Sequence, residues 1–343
     1  MNCASGRAMG WKNLHQRIPR YLGWRFWEIQ TFLSNRLNRH RGWLSRFIRY
    51  PFGFNAPFQK PVLHLRREAG IGDVLLTTPS LRLIREKNPS CTIKIYTNHP
   101  ELISGLGIVD EVLLPSHAMP DETIFLYYED IHRPTRHLAR IIGDKLGLNV
   151  KDVRPSCMVN DHHRQEALSR LSLLPKPWIT VSRYSSDYTP NKQWPEEYWD
   201  SLVASLLSWA TVIELGIDPA KPSHFQNHQN YLDLQGTLTV EQFVAAIHVA
   251  DLNLCTDSGP NHVAAAFGVP SVVIYGGYIS PSCTDYPGNI NLGSNLPCSN
   301  CRLRTPCPID RKCLREILPE NVEESLRKLA GVAKTKPFSL PMA

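Results

Sequence analysis

The run Thr256-Asp257-Ser258-Gly259-Pro260-Asn261-His262-Val263-Ala264-Ala265-Ala266 takes an apolar strand through a tight polar loop into a helix of small residues. Such a junction offers backbone N–H groups and the positive end of a helix dipole to an anion, above all a phosphate. Ser258 and Gly259 can supply N–H groups, Pro260 suits a first helical turn, and His262 adds a side-chain donor for a phosphate or a ribose. Asp257 suits a different task, holding the loop or meeting a neutral hydroxyl, because a carboxylate repels phosphate. The competing reading is a turn with no ligand, since Gly and Ser commonly end strands.

Two further loops carry chemistry. Gly70-Ile71-Gly72-Asp73 follows the apolar run Val62-Leu63-His64-Leu65 and looks like the opening of a dinucleotide fingerprint, but Leu75 stands at the third glycine position. Asp73 also puts a negative charge where a pyrophosphate would approach, which argues against nicotinamide chemistry. Two roles remain for Asp73: a helix cap, or a carboxylate facing a cleft and accepting a proton from an incoming hydroxyl. The loop from Ser182 to Pro195 supplies Lys192 as a mobile cation on the same sheet edge as Asp257. A diphosphate leaving group needs such a counter-charge as its bond to sugar breaks. Taken alone, a lysine in a polar loop is ordinarily a solvated surface residue.

A third constellation is Cys298-x2-Cys301-x5-Cys307-x5-Cys313, in a loop with Pro297, Pro306 and Pro308. Four thiolates suit a tetrahedral zinc or iron site of structural purpose; reduced free thiols and disulfides are the alternatives. The other five cysteines are scattered, which suits a reducing compartment.

The elements that must position these residues are legible as alternating apolar runs and amphipathic stretches. Strands are expected at 62–65, 93–97, 111–114 and 124–128, with helices at 74–87 and 137–146. A polar stretch from Lys151 to Pro177, with a helix at 163–171, reads as a linker. Strands at 178–182, 211–215, 251–255 and 271–275 follow, with helices from about 195 to 208, from a Thr239/Gln242 capping box through 250, and from 319 to about 330. Strands alternating with helices imply parallel sheets, and the length implies two domains with a cleft between them. The boundaries are a basic extension at 1–57, a first α/β domain at 58–175 and a second at 176–335 that carries the Cys-rich loop at 297–315.

The formal net charge of +7 would suggest an acidic partner if it were spread over the chain. Residues 1–50 hold ten Lys or Arg and one acid, Glu28, so subtraction from totals of 38 and 31 leaves 28 bases and 30 acids. That balance argues against a nucleic-acid surface in the body of the protein. The extension is rich in Trp and carries Phe26, Ile29, Leu33, Leu37, Leu44 and Ile48 at helical spacing. It reads as an amphipathic helix, packed on its own protein, lying at a membrane interface with Trp24, Trp27 and Trp43 at headgroup depth, or making oligomer contacts. With no apolar run long enough to span a bilayer and no secretory core, the expected location is cytoplasmic, with peripheral attachment to the inner face of the membrane as an option.

Taken together, Gly70-Ile71-Gly72-Asp73-Val74-Leu75-Leu76-Thr77-Thr78-Pro79, Asn191-Lys192-Gln193-Trp194-Pro195 and the Asp257 to Ala266 run resemble, in order and spacing, glycosyltransferase family 9, the heptosyltransferases of lipopolysaccharide core synthesis. The resemblance covers residues 60–330. It implies a GT-B fold of two Rossmann-like domains facing each other across a cleft. The first would bind a lipid-linked saccharide acceptor and the second a nucleotide-sugar donor, typically ADP-heptose. It further implies Asp73 as general base, Lys192 on the diphosphate, Asp257, Ser258, Gly259 and His262 as donor-binding loop, a single inverting displacement, and no metal for catalysis. Transfer to Ser or Thr hydroxyls of a protein, or a non-catalytic sugar-nucleotide-binding or scaffold role, are the alternatives. One departure from the family's pattern bears on the donor: Arg183-Tyr184-Ser185-Ser186-Asp187 stands where a small Gly- or Ala-containing turn is usual, which implies an altered donor pocket.

Overall fold

The protein is seen here as a computed structural model that describes residues 60–129, 131, 133–185, 189–216 and 224–333. The basic extension lies outside the described residues, as do Ser186 and Asp187 of the bulky turn and the next residue, Tyr188. No described helix is long and apolar enough to cross a membrane.

Two parallel sheets organise the rest. β1 (Val62–Arg66), β2 (Thr92–Tyr96), β3 (Glu111–Leu113) and β4 (Ile124–Phe125) form the first, in the order β3-β2-β1-β4. β5 (Trp178–Ser182), β6 (Thr211–Glu214), β7 (Tyr231–Asp233), β8 (Leu252–Thr256), β9 (Ser271–Tyr275) and β10 (Ile290–Gly293) form the second, in the order β10-β9-β8-β5-β6-β7. β5, β6, β8 and β9 are buried along their whole length, as parallel strands covered on both faces must be. The edge strands β7 and β10 were not expected. Each is three or four residues long, too short for period-two alternation to stand out.

The helices in chain order are α1 (Ile71–Leu75), α2 (Thr78–Lys87), α3 (Leu138–Lys145), α4 (Asp161–Leu171), α5 (Glu196–Leu206), α6 (Val240–Val249), α7 (Gly259–Phe267), α8 (Lys312–Arg315) and α9 (Pro319–Ala333). Where the sequence predicts one helix over 74–87, the chain forms two. Pro79 has no N–H to continue the ladder, and the Thr77 and Thr78 hydroxyls donate to the Val74 and Leu75 carbonyls at 2.7 Å each. The expected capping box of α6 is present, with Gln242 N donating to Thr239 Oγ1 at 3.2 Å and Thr239 N donating to Gln242 Oε1 at 3.0 Å. Pro195 sits just before α5 rather than in its first turn. α7 begins with Pro260 in its first turn and ends at Gly268, whose φ of +71° is the left-handed conformation glycine adopts cheaply.

The topology decides where a ligand can enter. From β1 the chain runs outward through β2 and β3, then returns to place β4 on the other side of β1. From β5 it runs through β6 and β7, then returns to place β8 on the other side of β5. In open parallel sheets the crevice at such a reversal, outside the strand carboxyl ends, is where ligands bind. The reversals lie between β1 and β4 in the first sheet and between β5 and β8 in the second. α1 and α7, which start from these two places, touch each other: a Cβ built on Gly259 would lie 3.4 Å from Ile71 Cβ.

Candidate active site

Lys192 and Asp257 meet at the second reversal. Lys192 closes a short 3-10 turn, Pro190–Lys192, whose entry is capped by Thr189 Oγ1 accepting from Asn191 N at 3.1 Å. Its Nζ lies 2.8 Å from Asp257 Oδ2 and donates to the Asp257 carbonyl at 2.9 Å. The Tyr278 ring centroid is 5.2 Å away. The expectation of a mobile cation is therefore corrected: Lys192 is clamped, because a buried carboxylate at the end of β8 needs its charge. Burial pushes the Asp257 carboxyl up, yet Lys192, a bond from Thr284 Oγ1 at 2.8 Å and nearby His262 together hold it below the usual carboxylate range. Asp257 thus holds the loop and its cation. Ser258 is the residue before α7, but its hydroxyl donates back to Thr256 O at 3.0 Å. No side chain caps the first turn of α7, which leaves that helix end available to an anion.

His262 faces the other sheet's loop. Its Nδ1 is 2.6 Å from the Tyr286 hydroxyl. Burial lowers its pKa to about 4, with Asp257 and Asp73 opposing and Lys192 adding to the shift, so the ring is neutral near pH 7. Burial, followed by the charges of Asp257 and Asp285, pushes Tyr286 far above its ordinary range, so its phenol keeps the proton in the hydrogen bond it shares with Nδ1. A Cβ built on Gly72 would lie 3.0 Å from Nε2 and 2.4 Å from Cδ2 of this ring. Gly72→Ala is accordingly expected to force the buried, Tyr286-held ring or α1 to move, lowering activity at least about 10-fold if this is the reacting centre, since small misplacements there are costly. Steady-state kinetics beside a thermal melt would check this: activity should fall far more than stability.

At the first reversal, Asp73 is held from three sides. Arg67, fully buried just past β1, donates from Nη2 to Asp73 Oδ1 at 2.7 Å and reaches Glu129 from Nη1 and Nη2 at 3.0 and 2.8 Å. The Tyr128 hydroxyl donates to the same Asp73 Oδ1. Gly70 N donates to Asp73 Oδ2 at 3.2 Å. Asp73 thus caps the start of α1 while its side chain stays 26% exposed. Sequence reasoning missed Arg67, Tyr128 and Glu129. The available signal was their place, Arg67 directly after β1 and Tyr128 and Glu129 a few residues after β4, at a reversal that only the sheet order reveals.

Near the second reversal, Ser182 Oγ, Asn191 Oδ1, Gln193 Oε1 and Thr256 Oγ1 are buried without a hydrogen bond, at the ends of β5 and β8 and in the loop between β5 and α5. Buried orphans of this kind suit a hydroxylated or phosphorylated ligand that satisfies them. Arg183 does not fill the crevice despite its bulk. It is buried against β6 and α5, with Nη1 on Asp200 Oδ1 at 2.7 Å and Nη2 on Glu214 Oε2 at 3.1 Å. Tyr184, next to it, is 47% exposed.

The Cys-rich loop props the turn that carries Lys192. Asn191 Nδ2 donates to the carbonyls of Leu303 and Thr305 at 2.9 and 2.8 Å, Thr189 Oγ1 donates to Leu303 O at 2.8 Å, and Arg311 Nη1 donates to Gln193 O at 2.9 Å. Cys298, Cys301, Cys307 and Cys313 are near enough for their charges to interact, and burial raises the thiols of Cys298, Cys301 and Cys313. Gly277 N donates to Cys313 Sγ at 3.0 Å. Among the described residues the trio whose ligand atoms lie within 4.8 Å of one another is His162, His163 and Glu166, so the four sulfurs adjoin without yet closing on one centre. Asn300, Arg302, Asp310 and Arg311 have φ of 62°, 57°, 47° and 51°, a left-handed backbone that non-glycine residues adopt at a cost.

A family model described as glycosyltransferase family 9 (heptosyltransferase) matches residues 129–307, more than half of the chain. The match takes in Lys192, Asp257 to His262 and three of the four clustered cysteines; Asp73 and Cys313 lie outside it. A curated relative, lipooligosaccharide heptosyltransferase 2 of Campylobacter jejuni subsp. jejuni serotype O:6 (strain 81116 / NCTC 11828), is 30% identical over 97 residues. That alignment spans 27% of this chain and 30% of the relative's length. Among solved structures, a glycosyl transferase family 9 protein from Veillonella parvula DSM 2008 has a TM-score of 0.63 at 19% identity, covering 80% of this chain and 98% of that one. E. coli ADP-heptose lps heptosyltransferase II has a TM-score of 0.61 at 16% identity, covering 80% and 99%. TibC from enterotoxigenic E. coli H10407, described as an iron-containing dodecameric glycosyltransferase, has a TM-score of 0.61 at 18% identity, covering 80% and 76%. The two parallel-sheet α/β domains are the GT-B fold of these proteins.

Proposed function

Because this chain belongs to glycosyltransferase family 9, we propose that it transfers a sugar, heptose from ADP-heptose, to a hydroxyl of a lipid-linked saccharide acceptor of lipopolysaccharide core. The observation that carries this reading is the meeting of two sheet reversals: one holds a carboxylate, Asp73, and the other a cation, Lys192, beside the uncapped start of α7. A structure of TibC is described as a complex with ADP-D-beta-D-heptose, which supports the donor.

In this reading the donor diphosphate lies at the start of α7 near Lys192. His262 meets the donor through Nε2 without carrying a charge, and the orphaned hydroxyls of Ser182 and Thr256 meet donor oxygens. Asp73 takes the proton of the acceptor hydroxyl while the acceptor oxygen bonds to the anomeric carbon and the bond from that carbon to phosphate breaks. ADP leaves with the electron pair. Attack from the face opposite the leaving group inverts the anomeric centre in one displacement. No step in this scheme needs a metal.

The Cys-rich loop has a separate, structural role. Its soft donor set fits iron or zinc, and the N–H bond to Cys313 Sγ is the kind of support a thiolate ligand receives. Cys298, Cys301, Cys307 and Cys313 would hold the ion and draw together, stiffening the loop that supports Asn191 and hence Lys192. Metal analysis of the purified protein should find about one equivalent of iron or zinc, lost in a Cys298→Ser/Cys301→Ser variant. A lipid-linked acceptor would place the enzyme on the cytoplasmic face of the inner membrane.

The deciding experiment supplies ADP-heptose with either a lipid A–core acceptor or a Ser/Thr-bearing polypeptide. The mass of the acceptor and release of ADP report transfer, and the anomeric configuration of the product reports inversion. The reading requires transfer to the lipid-linked saccharide. Transfer to the polypeptide alone would make the protein a protein O-heptosyltransferase, and donor binding without turnover on either would favour a sugar-nucleotide-binding or scaffold role.

A further inference from the structure

Asp73 Oδ1 and Oδ2 stand in unequal surroundings. Oδ1 accepts from Arg67 Nη2 at 2.7 Å and from the Tyr128 hydroxyl, while Oδ2 accepts from Gly70 N alone at 3.2 Å. Arg67 is itself fixed: it is fully buried, divides its donors between Asp73 and Glu129, and lies over the rings of Tyr127 and Tyr128 at 5.3 and 4.7 Å. The charged and titratable groups that face Asp73 are Arg67 from the end of β1, Tyr128 and Glu129 from the end of β4, and His262 from α7 across the gap.

We propose that Arg67, Tyr128 and Glu129 are positioning residues for the base: Arg67 and Tyr128 anchor Asp73 Oδ1, Glu129 fixes Arg67 by two further bonds and shares its charge, and Oδ2 is the oxygen that takes the acceptor proton. This rests on the reading of Asp73 as base.

Each partner has its own reason to act this way. Arg67 remains charged, because its two carboxylate partners more than offset the cost of burial. Burial and the neighbouring Asp73 charge push the Tyr128 phenol far above its ordinary range, so it stays a donor to the carboxylate. Glu129 stays ionised, since Arg67 and backbone donors outweigh its burial. His262, its pKa lowered to about 4 by burial, is neutral near pH 7 and adds no charge beside Asp73.

The test is the pH profile of kcat/KM in wild type, Tyr128→Phe and Glu129→Gln, with thermal melts to verify folding. Tyr128→Phe removes a donor to the charged carboxylate, and its acid limb is expected to move to higher pH by on the order of half a unit. Glu129→Gln leaves Arg67's charge to Asp73 alone, and its acid limb is expected to move to lower pH by a similar amount, with a lower plateau rate. A merely structural role would lower activity or stability in both without moving the limbs in opposite directions, and that result, or two unmoved limbs, overturns the proposal. Either variant decides its own half should the other fail to fold. Asp73→Asn, run alongside, separates the two readings: if it stays active the base assignment itself is wrong, whereas an inactive Asp73→Asn with unmoved limbs in the other variants rejects only the positioning role.

Discussion

Lys192→Met is expected to lose donor binding, turnover and stability together, and the pH dependence of the stability loss identifies the cause. Removing a preorganised charge aimed at a leaving group costs about 10²–10³ in kcat. ADP is expected to raise the melting temperature of wild type, and that shift should shrink or vanish in the variant. The stability effect arises in the free protein, because Asp257 is 5% exposed and Lys192 is its counter-ion. Breaking a buried pair from one side costs about 3–5 kcal/mol, and the 21% exposure of Lys192 argues for the lower end. In wild type Asp257 is held below its ordinary range, so its contribution is present above the unfolded carboxylate range and lost as pH falls through its folded value. In Lys192→Met the cation is gone and burial acts on Asp257 alone. The melting temperature of the variant should fall furthest behind wild type near neutral pH and approach it as the pH drops and Asp257 takes up a proton. A Lys192→Met/Asp257→Asn double variant should recover much of the stability and none of the transfer activity, a separation that a simple folding defect would not show.

What the sequence made legible follows from the length scale of each feature. The strand-loop-helix junction at Asp257 is local, so its apolar run, Pro260 in the first turn and the small residues of α7 could be read along the chain, and α7 forms over Gly259–Phe267. The capping box of α6 is equally local and is present. What could not be read is pairwise and distant. Arg67 and Glu129 are 62 positions apart, and nothing in either neighbourhood says that β4 will lie beside β1. The clamp of Lys192 by Asp257 spans 65 positions, and the support of Asn191 by Thr305 spans 114. The placement of Arg183 is likewise set by a distant partner: a buried acid on β6, Glu214, 31 positions away, draws it away from the crevice. The break at Thr77 and Thr78 was missed for the opposite reason: the two hydroxyl bonds that end α1 are local, but an amphipathic pattern through Leu76 and Leu81 masks them.

Asp73→Asn is expected to reduce kcat by about 10²–10⁴ while leaving donor affinity near wild type, and this pairing of effects is what distinguishes a base from a structural acid. The substitution preserves shape. An amide oxygen can still accept from Arg67 and Tyr128 at the Oδ1 position, and Arg67 keeps its two bonds to Glu129 at 3.0 and 2.8 Å, so no buried cation is stranded. What changes is the oxygen that only Gly70 N contacts. Oriented by the other two bonds, the amide nitrogen takes the Oδ2 position, has no lone pair to offer, and faces the Gly70 N–H, a local cost confined to the start of α1. Product formation from ADP-heptose should collapse while the thermal shift expected from ADP persists, because the proposed donor side, Lys192 and the start of α7, is untouched. Loss of both signals would mean that Asp73 supports the donor site as well, through the contact between α1 and α7 at Gly72 and His262. Full activity would remove Asp73 from the chemistry and leave it as the cap of α1.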